Sequence, residues 1–146
     1  MIINAESEFP QWEVSLKTTN PLGGSITWKP IFIDFDDKMV EIAVKLLSPF
    51  VSLGMSDWFS FQHVFEFRAS LQNLKRGNTQ TASITGLESL LCIAFAMKGN
   101  SFESFMSINF NSVSPIQCSG KATEIVVKND FAPLLDSISE MVSLFK

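Results

Sequence analysis

The sequence has no tyrosine, a single histidine and two cysteines. Without tyrosine, the aromatic residues available to anchor a partner at a surface are Trp12, Trp28 and Trp58. Cys92 and Cys118 are far apart and fit no metal-ligand spacing, so a buried free thiol is the reading for Cys92. No Gly-rich phosphate loop is present, because Gly23-Gly24 is followed by no helical pattern. The longest apolar run, Leu90 to Met97, is far too short to cross a bilayer. MIINAESEFPQ contains acids and no basic leader, so no secretory signal is read there. A reducing, cytoplasmic setting without a membrane partner is therefore expected, and no motif calls for a cofactor.

Positive charge is also scarce. The net charge is −4, whereas a nucleic-acid binder needs a cationic stripe to displace counterions. The deficit lies in the first half, where residues 1–66 carry nine acids against four bases. Such a half suits a basic protein partner, and it equally serves solubility.

Phenylalanine is abundant, with 14 residues in a chain that is 46% hydrophobic, which implies a large, dry core. At 146 residues the chain fits one domain, 1–146. The strongest pattern is Trp58 to Leu71, WFSFQHVFEFRASL. Phe59, Phe61, Phe65, Phe67, Ala69 and Leu71 alternate with mostly polar residues, as in a long central strand with one face on the core. His63 interrupts that face and reads as a hydrogen-bonded core or sheet-margin histidine.

Other strands are expected at Trp12–Lys17 and from Ile26 to Phe35. In the latter, Pro30 shifts the apolar phase and marks a bulge or an edge. Met39–Leu47 fits a helical stripe (Met39, Ile42, Ala43, Leu46, Leu47) as well as a strand (Val40, Ile42, Val44, Leu46), and its β-branched content decides for the strand, while Ser48–Asp57 reads as a connector. Lys75-Arg76-Gly77-Asn78 is turn chemistry leading into a short strand, Thr79–Ile84. Thr85-Gly86-Leu87-Glu88 is a capping box ahead of the stripe Leu87, Leu90, Leu91, Ala94 and Phe95, which predicts a helix ending at Gly99-Asn100. Further strands are expected from Phe102 to Phe110 and within Ile116–Val127. Phe131, Leu134, Leu135, Ile138, Met141, Val142 and Phe145 predict a closing helix with Asp130 as its N-cap. The expectation is an α+β domain: a mainly antiparallel sheet of about six strands with two amphipathic helices on one face.

Two residue sets suggest chemistry. Ile31-Phe-Ile-Asp34-Phe-Asp36-Asp37 resembles the first motif of the haloacid dehalogenase superfamily, whose first aspartate is the nucleophile. The chain departs from it in having Asp37 where Thr or Val is usual and in lacking alternating strands and helices. His63 with Asp34 and Asp36 stands as a hydrolase alternative, and a Phe-lined cavity for a hydrophobic ligand as another.

The segment from Ile84 to Met97, through Gly86, Glu88, Ser89, Leu90 and Leu91, resembles small bacterial α+β domains of unknown function and immunity proteins of polymorphic toxin systems. That resemblance implies a non-enzymatic binder, monomeric or homodimeric, that occludes a cognate toxin, and it transfers no catalytic residues. On this view the partner-binding patch is expected at Asp34, Asp36, Asp37 and Glu41, with Trp58 as its aromatic anchor.

Overall fold

A computed structural model describes residues 1–18, 22–47, 49, 52–97, 103–111, 119–127 and 131–145, with the side chains of 103–111, 119–127 and 131 left out of the description. The chain is α+β and its sheets are antiparallel. The strands divide between two sheets rather than one. The first contains β1 (Ile2–Asn4), β2 (Val14–Lys17), β3 (Ser25–Asp34), β4 (Met39–Leu47) and β5 (Ser52–Ser60). The second is a meander of β6 (Thr81–Thr85), β7 (Leu91–Met97), β8 (Glu103–Asn111) and β9 (Ser119–Val127). Among the described residues three α-helices, α1 (Ala5–Glu8), α2 (Phe61–Lys75) and α3 (Phe131–Leu144), and a 3-10 turn at Pro10–Trp12 accompany them.

The first sheet follows its sequence pattern closely. Ile26, Trp28 and Pro30 face the core on β3, then the register shifts between Pro30 and Phe32 and Ile33 takes over the inward position. The bulge expected at Pro30 is present, because a residue without an N–H cannot continue a regular ladder. On β4, Val40, Ile42, Val44 and Leu46 are buried while their neighbours are not, as a half-buried strand requires. Gly23 and Gly24 have φ of 94° and 150°, so the turn between β2 and β3 uses backbone that side chains rarely adopt.

Two expectations are corrected. The Phe-rich stretch is not a central strand: β5 ends at Ser60 and Phe61–Lys75 is helical. The expected connector Ser48–Asp57 is accordingly mostly β5, which starts at Ser52. Both periods fit the same phenylalanines, since Phe61, Phe67 and Leu71 occupy odd positions and also lie on one helical face. Val64 and Leu74 break the alternation and complete the stripe Phe61, Val64, Phe67, Leu71, Leu74, all buried. The Ser60 side chain caps the start by accepting from the His63 N–H at 3.1 Å. The end is a Schellman motif: Gly77 N–H reaches Leu74 O at 3.1 Å, Asn78 N–H reaches Asn73 O at 2.9 Å, and Gly77 has φ of 79°. His63 therefore leaves the apolar face and lies exposed on the first turn of α2.

The second correction concerns Thr85–Met97, which is no helix. Ile84, Leu91, Ile93 and Phe95 are buried and alternate with less buried neighbours, and β6 pairs with β7 as a hairpin. The residues read as a capping box are the last residue of β6, Thr85, and the turn Gly86–Glu88 that follows. The expected stop at Gly99-Asn100, Phe102, residues 112–118 with Cys118, and the cap Asp130 lie outside the described residues. Cys92 is a half-buried free thiol whose Sγ accepts from Thr85 Oγ1 at 3.4 Å.

Among the described residues, one hydrophobic cluster includes side chains of both sheets and of α2 and α3. Phe67 of α2 joins the sheets, its ring 6.0 Å from that of Trp28 and 6.4 Å from that of Phe95. The closing helix lies where its stripe places it, with Leu134, Leu135, Ile138, Met141 and Val142 buried. Phe145 stacks on Phe61 at 3.7 Å. Buried Ser137 donates to Trp12 O at 2.6 Å, and the Trp12 indole donates to Glu140 at 3.0 Å, so the helix is fixed in register against the segment before β2.

Candidate interaction surface

The core occupies one face of the five-stranded sheet and leaves the other outward. Directly paired residues of antiparallel strands share a face, so the register defines this outer surface. Asn4, Phe32, Glu41 and Trp58 form one row across β1, β3, β4 and β5. Ile2, Asp34, Met39 and Ser60 form the next. Phe32, Glu41 and Trp58 are half-buried, and Ile2 is exposed.

At Trp58 the first sheet is tied to the β6–β7 turn of the second. The N–H of Leu87, in the β6–β7 turn, donates to Trp58 O at 2.8 Å, and Leu87 is 47% exposed. The Trp58 N–H in turn donates to the Asp57 carboxylate at 2.8 Å. With both main-chain groups of Trp58 engaged away from β4, the Glu41–Trp58 pair is of the non-hydrogen-bonded kind, which brings side chains closest, with Cα atoms about 4.5 Å apart.

Asp57 builds this arrangement. It faces inward opposite Ile42 and is 2% exposed. Besides Trp58, its carboxylate accepts from the N–H groups of Leu90 at 2.9 Å, Leu91 at 3.3 Å and Glu88 at 3.4 Å. Backbone amides converging on a buried carboxylate meet the requirement that such a charge be hydrogen-bonded. The turn closes tightly: Ser89 N–H reaches Gly86 O at 3.0 Å, and Ser89 takes φ of 56°. Gly86 is needed for space, since a Cβ there would stand 1.9 Å from Asp57 Oδ2.

Glu41 shows the electrostatic character of the surface. Burial, and after it repulsion from Asp57, raise its carboxyl above the usual glutamate range. Among the described residues no cation pairs with it, and Lys29 on the same face is held by Glu6 at 2.8 Å. A carboxyl whose folded-state pKa is raised is favourable to folding below its unfolded pKa. That contribution is lost as pH rises through the folded value. Glu41→Gln is therefore expected to raise Tm slightly at pH 7, with the difference vanishing near the ordinary glutamate pKa of about 4.3, as scanning calorimetry across that range will read.

The residues expected to bind a partner are placed as follows. Asp34, Glu41 and Trp58 share the outer face. Asp36 and Asp37 lie exposed in the turn beyond it. Asp34 Oδ1 accepts from the N–H groups of Asp36 and Asp37 at 3.1 and 3.2 Å, so the Asp-x-Asp-Asp sequence shapes a hairpin turn. His63 lines a separate cleft of about 290 Å³ with Glu66, Ser70, Ser83, Ile84 and Thr85; neither Asp34 nor Asp36 is there. Phe59, Phe61, Phe67 and Phe95 are buried side chains of the core, and Phe61 and Phe67 are in ring contact with other aromatics.

Sequence reasoning missed Phe32, the cross-strand neighbour of Glu41, and Leu87, whose N–H holds Trp58 O. It also missed the Asp57–Gly86 contact that holds the turn. The Pro30 bulge was the available signal for Phe32, because it sends the residue after Ile31 outward.

Comparison with models of known protein families, with curated proteins and with solved structures found no match to this chain.

Proposed function

We propose that the protein is a stoichiometric binder that neutralises a protein partner, in the manner of an immunity protein, by seating it on the outer face of the five-stranded sheet. One observation carries this reading: Glu41, a half-buried carboxylate with no ion-pair partner among the described residues, lies between Phe32 and Trp58 on the sheet face turned away from the core. Folding alone gains nothing from a desolvated charge in that position, whereas a partner bringing a cation does. Trp58 and Phe32 supply the apolar area that dominates a contact centre, and Asp34 and Asp37 add a negative rim that speeds encounter with a basic surface, while Asp36 beside them pairs with the N-terminal ammonium. The functional residues belong to the adjacent strands β3, β4 and β5 and to the turn between the first two, a platform suited to blocking a partner's active site.

The partner to test is the product of the neighbouring gene in the source genome. Co-expression is expected to relieve its toxicity, and the two purified chains are expected to form a 1:1 complex in calorimetry. Growth arrest unchanged by co-expression, with no heat of binding, would remove the proposal.

A further inference from the structure

We infer that the centre of this surface receives an arginine side chain of the partner, its guanidinium paired with the Glu41 carboxylate and covered by the rings of Phe32 and Trp58. The inference rests on the binding function proposed above and specifies its chemistry. The register carries it: Phe32 and Trp58 are the direct cross-strand neighbours of Glu41, one on each side, and all three share the outward face. A carboxylate between two aromatic rings matches a planar cation that can form parallel hydrogen bonds through its edge while its faces stack. An ammonium is a compact, strongly hydrated charge and loses more on entering a half-buried site.

Nothing in the described chain already fills the role. Its arginines, Arg68 and Arg76, both belong to the α2 region, and Arg68 is engaged with Ser139 at 3.0 Å. Lys29, the nearest lysine on the same face of β3, is taken by Glu6. Asp34, one row away on the same face, extends the negative field without competing for the rings. The raised Glu41 carboxyl fits as well, since an incoming cation offsets the burial and the Asp57 repulsion that cause the shift.

The test is an NMR titration of the whole protein with Nα-acetyl-arginine amide, Nα-acetyl-lysine amide and Nα-acetyl-citrulline amide, the last being the uncharged isostere. The arginine probe is expected to shift the Trp58 indole and the Phe32, Glu41 and Trp58 amides. Citrulline is expected to bind at least about tenfold more weakly, and lysine in between. In Glu41→Gln these shifts should vanish while the remaining spectrum keeps its folded positions. Equal response to arginine and citrulline, or arginine shifts confined to the Asp36–Asp37 turn, would overturn the inference. It separates from the proposed function cleanly. If the neighbouring gene product binds the wild type and Glu41→Gln equally well, the arginine assignment fails and the neutraliser reading stands. If the arginine probe binds as described and the gene product does not, the neutraliser reading fails and the cation site stands.

Discussion

Phe67→Ala is expected to lower the unfolding free energy by about 3–5 kcal/mol, measured by urea denaturation. Phe67 is 1% exposed, and its ring lies between Trp28 on one sheet and Phe95 on the other. Its removal forfeits buried apolar area and leaves a void that neither sheet can close, because each is held by its own ladder. Native proteins have about 5–15 kcal/mol in total, so the variant should be close to unfolding at 37 °C. Phe65→Ala is the control. Phe65 is half-buried and meets Phe145 edge-on at 6.3 Å, so its loss should cost clearly less. Equal costs would contradict the placement of Phe67 as the residue joining the sheets.

Asp57→Ala is expected to cost about 3 kcal/mol or more, by leaving several backbone N–H groups without their acceptor. Trp58, Glu88, Leu90 and Leu91 all donate to this carboxylate, and Leu91 opens β7. Gly86→Ala attacks the same contact from the other side: its Cβ would meet Asp57 Oδ2 at 1.9 Å and Cγ at 2.1 Å. The two substitutions should therefore be strongly non-additive. Once Asp57 has become alanine, the nearest clash left is the Asp57 Cβ at 2.6 Å, so the added cost of Gly86→Ala must fall. Additive denaturation free energies would mean that the turn is held by something other than Asp57.

These two residues also mark where the sequence was legible and where it was not. β2, β3 and α3 were read correctly because each carries one apolar period, β4 because its β-branched content decided between a helical and a strand period, and the Pro30 bulge followed from the missing N–H. The Phe-rich stretch carried two periods at once. Only Ser60 as an N-cap and Val64 on the wrong side of an alternation favoured the helix. The Thr85–Glu88 capping box was a sound local signal overridden at long range. Glu88 contributes its backbone N–H to Asp57, 31 positions earlier, and the turn is shaped by that carboxylate rather than by a helix start. No window of local sequence contains that information.

The candidate surface was legible in part. Acidity and the need for a tryptophan anchor led to Asp34, Glu41 and Trp58, which the register places on one face. Phe32 was readable only through the Pro30 bulge, and Leu87 not at all. One depends on the bulge for its direction, and the other on the pinned turn for its neighbour, Trp58. His63, conspicuous as the sole histidine, is an exposed residue in the first turn of α2.

The most direct test of the binding face is a comparison of wild type with Glu41→Arg and Trp58→Ser against the neighbouring gene product in titration calorimetry, with Tm recorded for each variant. The structure predicts folded variants, with affinity reduced at least about 100-fold by the charge reversal and at least about tenfold by loss of the indole. A tight wild-type complex unchanged by either substitution would show that the partner sits elsewhere and contradict the account.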